Sequence, residues 1–564
     1  MRFSAGQRSP KINLWDQLGS HSAKVTERLR WTSTRKTGRK LRDMTDQIKR
    51  GERPELDLSG ILSSAPPSDP TCRIYTNRNL DMSEIKAIGF DMDYTLIQYH
   101  QRPMDELAIR KTIDKLIESR GYPEEIREAH IDLDFIIRGL VVDKQTGHIC
   151  KLDQDRVVGR CYHGYQMVSE EERKRQYGTK PIALNNERFI RVDTLFSLPE
   201  STLMAGIIQH YSDQGEALPK TPGELCIDIR KSIDEAHCDN SLKAEIMANL
   251  DLYIVRDPDL GPTLHKLKST GKQLFLLTNS EAYYTEAVMS WQLDGVLPFY
   301  ESWRDYFDVS IVSGRKPSFF QNPNPFHRLD DQGEPIDEVV ESFNPRVIYS
   351  GGNLQELERL MGLTGDSILY VGDHVYSDIL LSKRSAWWRT ALVIQEMEEG
   401  ISNGLNQAEH LRRIEQLDHA ARKLDDSINY HMTLTRGLER VQRLLVALTS
   451  PETHVIDSTR DKAMQEIEDK KRLLDQLLQE LERLDSDVEQ SFNKYWGQAF
   501  RERHELSLFG DQVQNYADIY TSKVSNFLFY SPDQHFRAAR HFLPHERETL
   551  SKSELILSTG EEES

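Results

Sequence analysis

Two aspartates stand two residues apart in the stretch IGFDMDYTLIQYH, which runs from Ile88 to His100. Asp91 and Asp93 directly follow the short apolar run IKAIGF, and a run of this kind is typical of a buried strand. A surface turn would explain this pair of carboxylates, and so would a catalytic site. The residues at the ends of the other strands decide between the two.

Polar side chains also end or follow three later apolar runs, QLFLLTNS, FDVSIVSG and SILYVGDH. These residues are Thr278, Asn279, Ser280, Lys316, Asp373 and Asp378. In an open parallel sheet, ligands bind outside the carboxyl ends of the strands. We therefore expect four strands to deliver carboxylates, hydroxyls and a lysine to one site.

This set of side chains suits phosphate chemistry. Converging carboxylates repel each other unless a cation lies among them, and oxygen ligands with room for water suit Mg²⁺. A lysine and a hydroxyl beside such a cation suit phosphate oxygens. One carboxylate can attack phosphorus to form an aspartyl phosphate. A second, two residues further on, can protonate the leaving oxygen and then activate water.

The strands that must position these residues alternate with helical patterns such as AYYTEAVMSWQL and NLQELERLMGL, and a further apolar run, RTALVIQE, comes after them. This alternation predicts an α/β fold with a doubly wound, Rossmann-like parallel sheet. Roughly 170 residues separate the first strand from the second, which is too long for a loop and predicts an inserted cap domain. Within it, KQTG in FIIRGLVVDKQTGHICKLD indicates a hairpin turn.

Seven-residue leucine spacings between about Asn406 and Phe500 predict two long amphipathic helices folded back as a C-terminal helical hairpin. A coiled coil between chains would produce the same spacing. The predicted domains are 1–72, a basic and disordered N-terminal arm; 73–100 with 266–400, the catalytic core; 101–265, the cap; 401–546, the helical hairpin and a C-terminal helical segment packing on the core; and 547–564, an acidic tail.

Composition narrows the class of protein. The chain has 564 residues, 38% hydrophobic and 29% charged, which is typical of a globular protein with more than one domain. Its net charge of −18 argues against a broad nucleic-acid-binding surface. No apolar run approaches the length of about 18 residues that a transmembrane helix needs, so we expect no membrane partner.

Five cysteines without a CxxC pair suit a reducing compartment and argue against a structural zinc site. Residues 1–50 hold 13 Lys and Arg against 4 Asp and Glu, which fits either a basic arm or an organelle transit peptide. We expect a cytoplasmic protein, with an organelle as the alternative.

The four motifs, D-x-D-x-T, T-N-S at a strand end, a lysine, and G-D-x-x-x-x-D, in this order resemble the haloacid dehalogenase superfamily of phosphatases. Longer segments are similar to the cytosolic purine 5′-nucleotidase family and its 5′-nucleotidase domain-containing relatives. They include GFDMDYTL, VDTLFSLPE, LLTNSEAYYTEAVM, YVGDHVYSDIL and FRAARHFLPHE. The resemblance runs from about Arg73 to Glu546.

The resemblance implies a role for each residue at the strand ends. Asp91 would be the nucleophile, and Asp93 the general acid and base with its backbone carbonyl on the metal. The phosphate-binding residues would be Thr278, Asn279, Ser280 and Lys316. The Mg²⁺ ligands would be Asp91, Asp93, Asp373 and Asp378, the last as a ligand or as a support of the site.

In this family the cap holds the base, and the candidates for that role here are Tyr177, Lys180, His163 and Tyr165. An aromatic face can stack on a purine, and Lys180 could reach the phosphate, but the same aromatics could equally form the core of the cap. Asn515 stands where the purine enzyme carries an arginine of its effector-nucleotide site. Losing a guanidinium removes a strong phosphate contact, so effector activation is not implied for this chain.

The resemblance and the motifs together predict a Mg²⁺-dependent 5′-nucleotidase that hydrolyses nucleoside 5′-monophosphates, such as the purine nucleotides IMP and GMP, through an aspartyl phosphate. A phosphatase of another small phosphorylated metabolite is one alternative, and a scaffold acting through its helical hairpin is another. The expected partner is a small-molecule nucleotide. The family implies a homo-oligomer, a dimer or tetramer, and a monomer stays open.

Overall fold

The computed structural model describes residues 69–336, 339–447 and 453–546. The predicted acidic tail, and residues 1–68 of the predicted N-terminal arm, lie outside the described residues. The strands are β1 (Tyr75–Thr76), β2 (Leu80–Asp81), β3 (Ala87–Phe90), β4 (Gln98–Tyr99), β5 (Val141–Asp143), β6 (His148–Leu152), β7 (Val158–His163), β8 (Gln166–Met167), β9 (Phe189–Arg191), β10 (Ile254–Val255), β11 (Gln273–Leu277), β12 (Val309–Val312), β13 (Phe326–Leu329), β14 (Pro335–Ile336), β15 (Ile348–Gly351), β16 (Ile368–Gly372), β17 (Arg389–Val393), β18 (Arg501–Glu502), β19 (Glu505–Leu506), β20 (Ile519–Thr521) and β21 (His535–Phe536).

The α-helices of the described ranges follow the same order. They are α1 (Gln101–Arg120), α2 (Glu170–Tyr177), α3 (Leu198–Gln214), α4 (Pro222–Cys238), α5 (Ser241–Ala248), α6 (Leu250–Tyr253), α7 (Leu260–Lys268), α8 (Ala282–Leu293), α9 (Leu354–Met361), α10 (Leu381–Ala386), α11 (Met397–Asn406), α12 (Ala408–Ala447), α13 (Thr453–Gln490) and α14 (Leu508–Tyr516). None of the helices in the described ranges is both long and apolar enough to cross a membrane.

A ten-stranded sheet, in the order β1–β20–β17–β16–β3–β11–β12–β15–β13–β14, forms the centre of the described chain. The neighbours from β20 to β15 pair in parallel, whereas β1, β13 and β14 pair antiparallel at the two edges. From β3 the chain winds outward through β11, β12 and β15, and later outward on the other side through β16, β17 and β20. Strand β3 therefore lies where the winding direction reverses, which is where open α/β sheets bind ligands.

The prediction of a mixed α/β fold with a mainly parallel central sheet is confirmed, since each of the five predicted apolar runs contains one strand of it. Two further parallel strands, β15 and β20, were not predicted. They are only four and three residues long, so their apolar runs do not stand out from the surrounding loops. Because β20 comes from the C-terminal segment, that segment is not purely helical as predicted.

The central strands are apolar on both faces because helices or loops cover each face. Ile88 and Phe90 of β3 belong to the core on one side of the sheet, and Ala87 belongs to the core on the other. Gly89 completes the alternation, and a Cβ there would lie 2.1 Å from Cζ of Phe275 on β11. The sheet thus requires glycine at the position two residues before Asp91.

The chain between β4 and β10, residues 100–253, is called the insertion below. It contains a five-stranded antiparallel sheet, in the order β8–β7–β6–β5–β9, and the helices α1 to α6. Strands β4 and β10 pair antiparallel at its two ends, with Tyr99 opposite Ile254. The predicted KQTG turn connects β5 to β6, where Asp143 pairs with His148. Buried side chains of α1, α3 and α4 join the same hydrophobic core as Ile88 and Phe90.

The helices α12 and α13 pack along each other. Leu417, Leu481 and Leu484 form a small buried cluster between them. Arg413, near the start of α12, pairs with Glu480, near the end of α13, at 3.1 Å. The two helices therefore run antiparallel. The residues that connect them, 448–452, lie outside the described ranges.

Candidate active site

Asp91 is the first residue after β3 and lies at the carboxyl edge of the central sheet. Its backbone N–H donates to the carbonyl of Val371 on β16 at 2.9 Å, which continues the parallel pairing one residue past the strand. The backbone N–H of Met92 donates to Asp91 Oδ1 at 2.8 Å. Tyr94 then adopts a left-handed φ of 54° and turns the chain away from the sheet. The side chain of Asp91 is nearly buried, so its charge needs compensation from neighbours.

Lys316 supplies that compensation from the loop after β12. Its Nζ lies 2.9 Å from Asp91 Oδ1 and 2.8 Å from Asp378 Oδ1, and it donates to the hydroxyl of Tyr370 at 3.1 Å. Asn279 fixes the backbone of Lys316 from both sides, because its Oδ1 accepts from Lys316 N at 2.6 Å and its Nδ2 donates to Lys316 O at 2.9 Å. The predicted phosphate-binding residue Asn279 thus also positions the predicted lysine.

Three of the predicted metal ligands come together in an acidic trio. Carboxylate oxygens of Asp91, Asp373 and Asp378 all lie within 4.8 Å of one another, the only such cluster of potential metal ligands among the residues that the structure describes. Asp378 belongs to a π-helical turn after β16, and its Oδ2 accepts from His374 N at 3.2 Å. A Cβ at Gly372 would lie 2.5 Å from Asp378 Oδ2, so glycine lets the carboxylate approach β16. Short π-helical segments occur often at functional sites.

Burial and the repulsion among the three carboxylates raise the pKa values of Asp91 and Asp373. Burial raises the pKa of Asp91 to about 7, Lys316 acts against that rise, and the charges of Asp378 and Asp93 add to it. Burial, with the charges of Asp378 and Asp91, holds the pKa of Asp373 well above its ordinary range. Burial acts to lower the pKa of Lys316, but Asp378 and Asp91 outweigh it and keep that pKa well above its usual value. One lysine thus faces three carboxylates, and a bound cation would relieve the remaining negative charge.

Asp93 has different partners from those of the trio. Its Oδ1 accepts from the Tyr99 hydroxyl at 2.5 Å and its Oδ2 accepts from Ser280 Oγ at 2.7 Å. Burial and the nearby Asp93 charge hold the pKa of Tyr99 well above its usual range, so the phenol keeps its proton and remains a donor. The backbone N–H of Ser280 donates to the hydroxyl of Thr278 at 3.1 Å. Of the predicted phosphate-binding residues, Ser280 therefore contacts Asp93 directly, and Thr278 contacts Ser280.

The insertion contributes side chains that the sequence patterns did not indicate. Thr194 Oγ1 donates to Asp373 Oδ2 at 3.5 Å. His237, at the end of α4, is partly buried, and burial lowers its pKa, as does the charge of Lys243, while Asp234 and Asp93 act against this. The ring of Phe196, also in the insertion, lies 4.7 Å from the ring of Tyr94 and 6.2 Å from the ring of His237. Thr194 contacts a carboxylate of the trio directly, and Phe196 connects the insertion to Tyr94 in the turn after Asp93.

Two predicted nucleotide contacts have their partners inside the insertion. The hydroxyl of Tyr177 donates to Asp143 at 2.9 Å and lies 3.0 Å from His148 Nδ1. The ring of His163 packs against His148 with centroids 5.4 Å apart. Both residues contact the antiparallel sheet of the insertion. The insertion residue that contacts a carboxylate of the trio is Thr194. The role of Tyr177 and His163 in base recognition stays a prediction.

The other two predicted contacts, Tyr165 and Lys180, differ in their surroundings. The hydroxyl of Tyr165 donates to the carbonyl of His130 at 3.1 Å, and its ring packs on Phe135 at 4.9 Å. Lys180 is exposed. Their role as substrate contacts also stays a prediction. Asn515 lies in α14, where its Nδ2 donates to Asp511 Oδ1 at 2.6 Å.

The chain matches the family model described as the 5′ nucleotidase family over residues 74–548. A 5′-nucleotidase domain-containing protein of Dictyostelium discoideum is 31% identical over 493 residues, covering 86% of this chain and 76% of that protein. The 5′-nucleotidase domain-containing protein 2 of Homo sapiens is 30% identical over 485 residues, covering 84% of this chain and 85% of that protein. The same protein of Rattus norvegicus is also 30% identical over 485 residues, with 80% of its length covered.

These matches and the site together define a phosphoric monoester hydrolase with an α/β fold. The chain belongs to the 5′ nucleotidase family. The family implies a small-molecule nucleotide substrate and is consistent with the use of a divalent metal, for which the acidic trio offers the ligands.

Proposed function

We propose that this protein is a Mg²⁺-dependent 5′-nucleotidase that hydrolyses nucleoside 5′-monophosphates, with purine nucleotides of the IMP and GMP type as the preferred class. The reaction passes through an aspartyl phosphate on Asp91. The observation that carries the proposal is the contact of one buried lysine with Asp91 and Asp378, at 2.9 and 2.8 Å, at the point where the winding of the sheet reverses.

The two aspartates after β3 divide the chemistry between them. Lys316 and the Met92 N–H both contact Oδ1 of Asp91, which leaves Oδ2 for the attack on phosphorus. Asp93 protonates the leaving 5′-oxygen of the nucleoside, and then removes a proton from the water that attacks the aspartyl phosphate. Tyr99 and Ser280 hold the Asp93 carboxylate in place for both transfers. The products are the nucleoside and inorganic phosphate.

The acidic trio fits a divalent cation. Three buried carboxylates with oxygens within 4.8 Å of one another and a single lysine carry net negative charge. Oxygen donors of this kind suit Mg²⁺, which Asp91, Asp373 and Asp378 would hold, with the Asp93 carbonyl as a further ligand. A bound cation would supply charge neutralisation for the phosphate oxygens. Lys316 and the Thr278 hydroxyl bind those oxygens from the protein side.

The proposal extends to the architecture. The core resembles that of the haloacid dehalogenase superfamily, with residues 101–265 as the cap and residues 401–546 as the helical hairpin and C-terminal segment. The β4–β10 pair at the base of the insertion, the Phe196–Tyr94 ring contact and the Thr194–Asp373 hydrogen bond support a cap that closes over the site.

A panel of phosphomonoesters tests the proposal. Phosphate release by the wild type is measured in Mg²⁺ with purine and pyrimidine 5′-monophosphates and with sugar and amino-acid phosphates. We expect turnover of the nucleotides, loss of turnover in Asp91→Asn, and a large loss in Lys316→Met. Turnover confined to the non-nucleotide phosphates would replace the proposal by a phosphatase of another metabolite. Folded wild-type protein without turnover of any substrate would overturn the proposed enzymatic activity.

A further inference from the structure

Arg138 lies in the insertion ahead of β5, yet its side chain reaches the carboxyl edge of the central sheet. The side chain is fully buried. Its Nη1 donates to the main-chain carbonyl of Asp373 at 2.9 Å. Its Nε and Nη2 donate to the two carboxylate oxygens of Glu396 at 2.7 and 2.8 Å. The bidentate pair with Glu396 therefore fixes the orientation of the guanidinium, which contacts Asp373, a member of the acidic trio.

The surroundings of Arg138 restrict it further. The guanidinium lies over the ring of Phe509 in α14, 5.0 Å from its centroid. Glu396 follows β17 and precedes α11, so Arg138 bridges the insertion, the end of β16 and the end of β17. A buried arginine with a bidentate carboxylate partner keeps its position better than a lysine would, because its planar donors are already oriented.

Asp373 receives a second contact from the insertion. Thr194 Oγ1 donates to Asp373 Oδ2 at 3.5 Å, while Arg138 holds the carbonyl of the same residue. The main chain and the carboxylate of Asp373 are thus both held by the insertion, and not only by β16. Partners that orient a metal ligand commonly change metal affinity by 10- to 100-fold when they are removed.

We propose that Arg138 is a positioning residue for the acidic trio, and that it couples the insertion to cation binding by fixing the Asp373 carbonyl. The inference rests on the proposed function, since it assumes that the trio holds a divalent cation. Arg138 thus raises the affinity of the trio for a cation, whereas a residue with only a structural role would affect stability alone. Glu396 holds Arg138 and shares its effect.

Cation binding without substrate tests the proposal. Calorimetric titration of the metal-free protein with Mn²⁺ and with Mg²⁺ measures the dissociation constant, and urea unfolding in a chelator measures stability separately. In Arg138→Met we expect cation binding to weaken by about 10- to 100-fold. Arg138→Lys keeps the charge and one donor and should recover part of the affinity. Asp373→Asn should show what loss of a ligand itself does.

Arg173 provides a matched control. It lies in α2 of the insertion, is also buried, and its Nη1 donates to the main-chain carbonyl of Val158 at 2.9 Å, away from the trio. Arg173→Met should lower stability and leave the cation dissociation constant unchanged. Equal cation affinities in the wild type and in folded Arg138→Met would overturn the inference, as would an equal loss in Arg173→Met.

A second variant covers the case in which Arg138→Met does not fold. Glu396→Gln keeps the size of the side chain and one acceptor but loosens the bidentate pair, so cation binding should weaken in the same direction. Unchanged affinity in Glu396→Gln together with unchanged affinity in Arg138→Lys would overturn the inference. Wild-type protein that binds Mn²⁺ but hydrolyses no nucleotide would refute the proposed function while leaving the coupling intact. Wild-type protein that binds neither cation would overturn both.

Discussion

Two substitutions in the acidic trio and its lysine should move the stability of the metal-free protein in opposite directions. Lys316→Met removes the positive charge that faces Asp91 and Asp378. Asp373→Asn removes a carboxyl group whose ionisation is opposed by burial and by the charges of Asp378 and Asp91, and it keeps the shape of the side chain. A generic disturbance of a buried site would lower stability in both cases, so the opposite signs are the test.

The distances give the size of each effect. At an effective dielectric constant of about 20, charges 2.9 and 2.8 Å apart attract by about 6 kcal/mol per pair. Carboxylates within 4.8 Å repel by about 3 kcal/mol per pair or more. Much of the attraction only offsets the desolvation of the ions, and removing one partner of a buried pair costs about 3–5 kcal/mol in practice. We expect that loss for Lys316→Met, and a gain of about 1–3 kcal/mol for Asp373→Asn after the same discount.

Urea unfolding in a chelator at a pH above 7, where Asp91 is ionised, measures both free energies of unfolding. Repeating the titrations in Mg²⁺ should stabilise the wild type and restore part of the loss in Lys316→Met. It should leave Asp373→Asn with little response, because a ligand is missing. Destabilisation of both variants by similar amounts in the chelator would refute the electrostatic account of the site.

Three further changes test other parts of the structure. Burial raises the pKa of Asp105 to about 7, against 3.8 in the unfolded chain. The folded protein therefore keeps this proton to a higher pH than the unfolded chain does, and it loses stability as the pH rises from 3.8 to about 7. Asp105→Asn should remove up to about 4 kcal/mol of that loss, which a flatter dependence of the unfolding free energy on pH would show. Gly89→Ala should destabilise by about 1–3 kcal/mol or more because the new Cβ would lie 2.1 Å from Phe275 Cζ, and Phe275→Leu should recover part of that loss in thermal unfolding. Tyr99→Phe removes the 2.5 Å hydrogen bond to Asp93 and should lower kcat by about 10-fold or more with an unchanged KM, whereas an equal change in KM would show that Tyr99 acts on substrate binding.

The residues at the strand ends could be located from the sequence because their signal is local. Each follows an apolar run, and parallel strands end at one edge, so the contact of Lys316 with Asp91 follows once the sheet is assumed. The clustering of Asp373 and Asp378 with Asp91 follows in the same way. The chemistry assigned to each residue stays a prediction until activity is measured.

The contribution of the insertion could not be predicted in this way. Arg138, Thr194 and His237 reach the site through the packing of the insertion on the sheet, and no spacing in the sequence records that packing. The sequence offers Tyr177 and Tyr165 as ring faces that can stack on a purine, or as core residues of the cap. Their hydroxyls donate to Asp143 and to the carbonyl of His130, which both possibilities allow, so their role as base contacts stays a prediction.

The central claim is that Asp91 becomes phosphorylated during hydrolysis of a nucleoside 5′-monophosphate. The most direct measurement is acid quenching of the wild type during turnover of a phosphate-labelled nucleotide in Mg²⁺, with subsequent mapping of the labelled peptide. We predict a hydroxylamine-sensitive label on the peptide that contains Asp91, formed fast enough to account for turnover and absent from Asp91→Asn. Hydrolysis by the wild type without a label on that peptide would contradict the account. So would hydrolysis that is retained in Asp91→Asn.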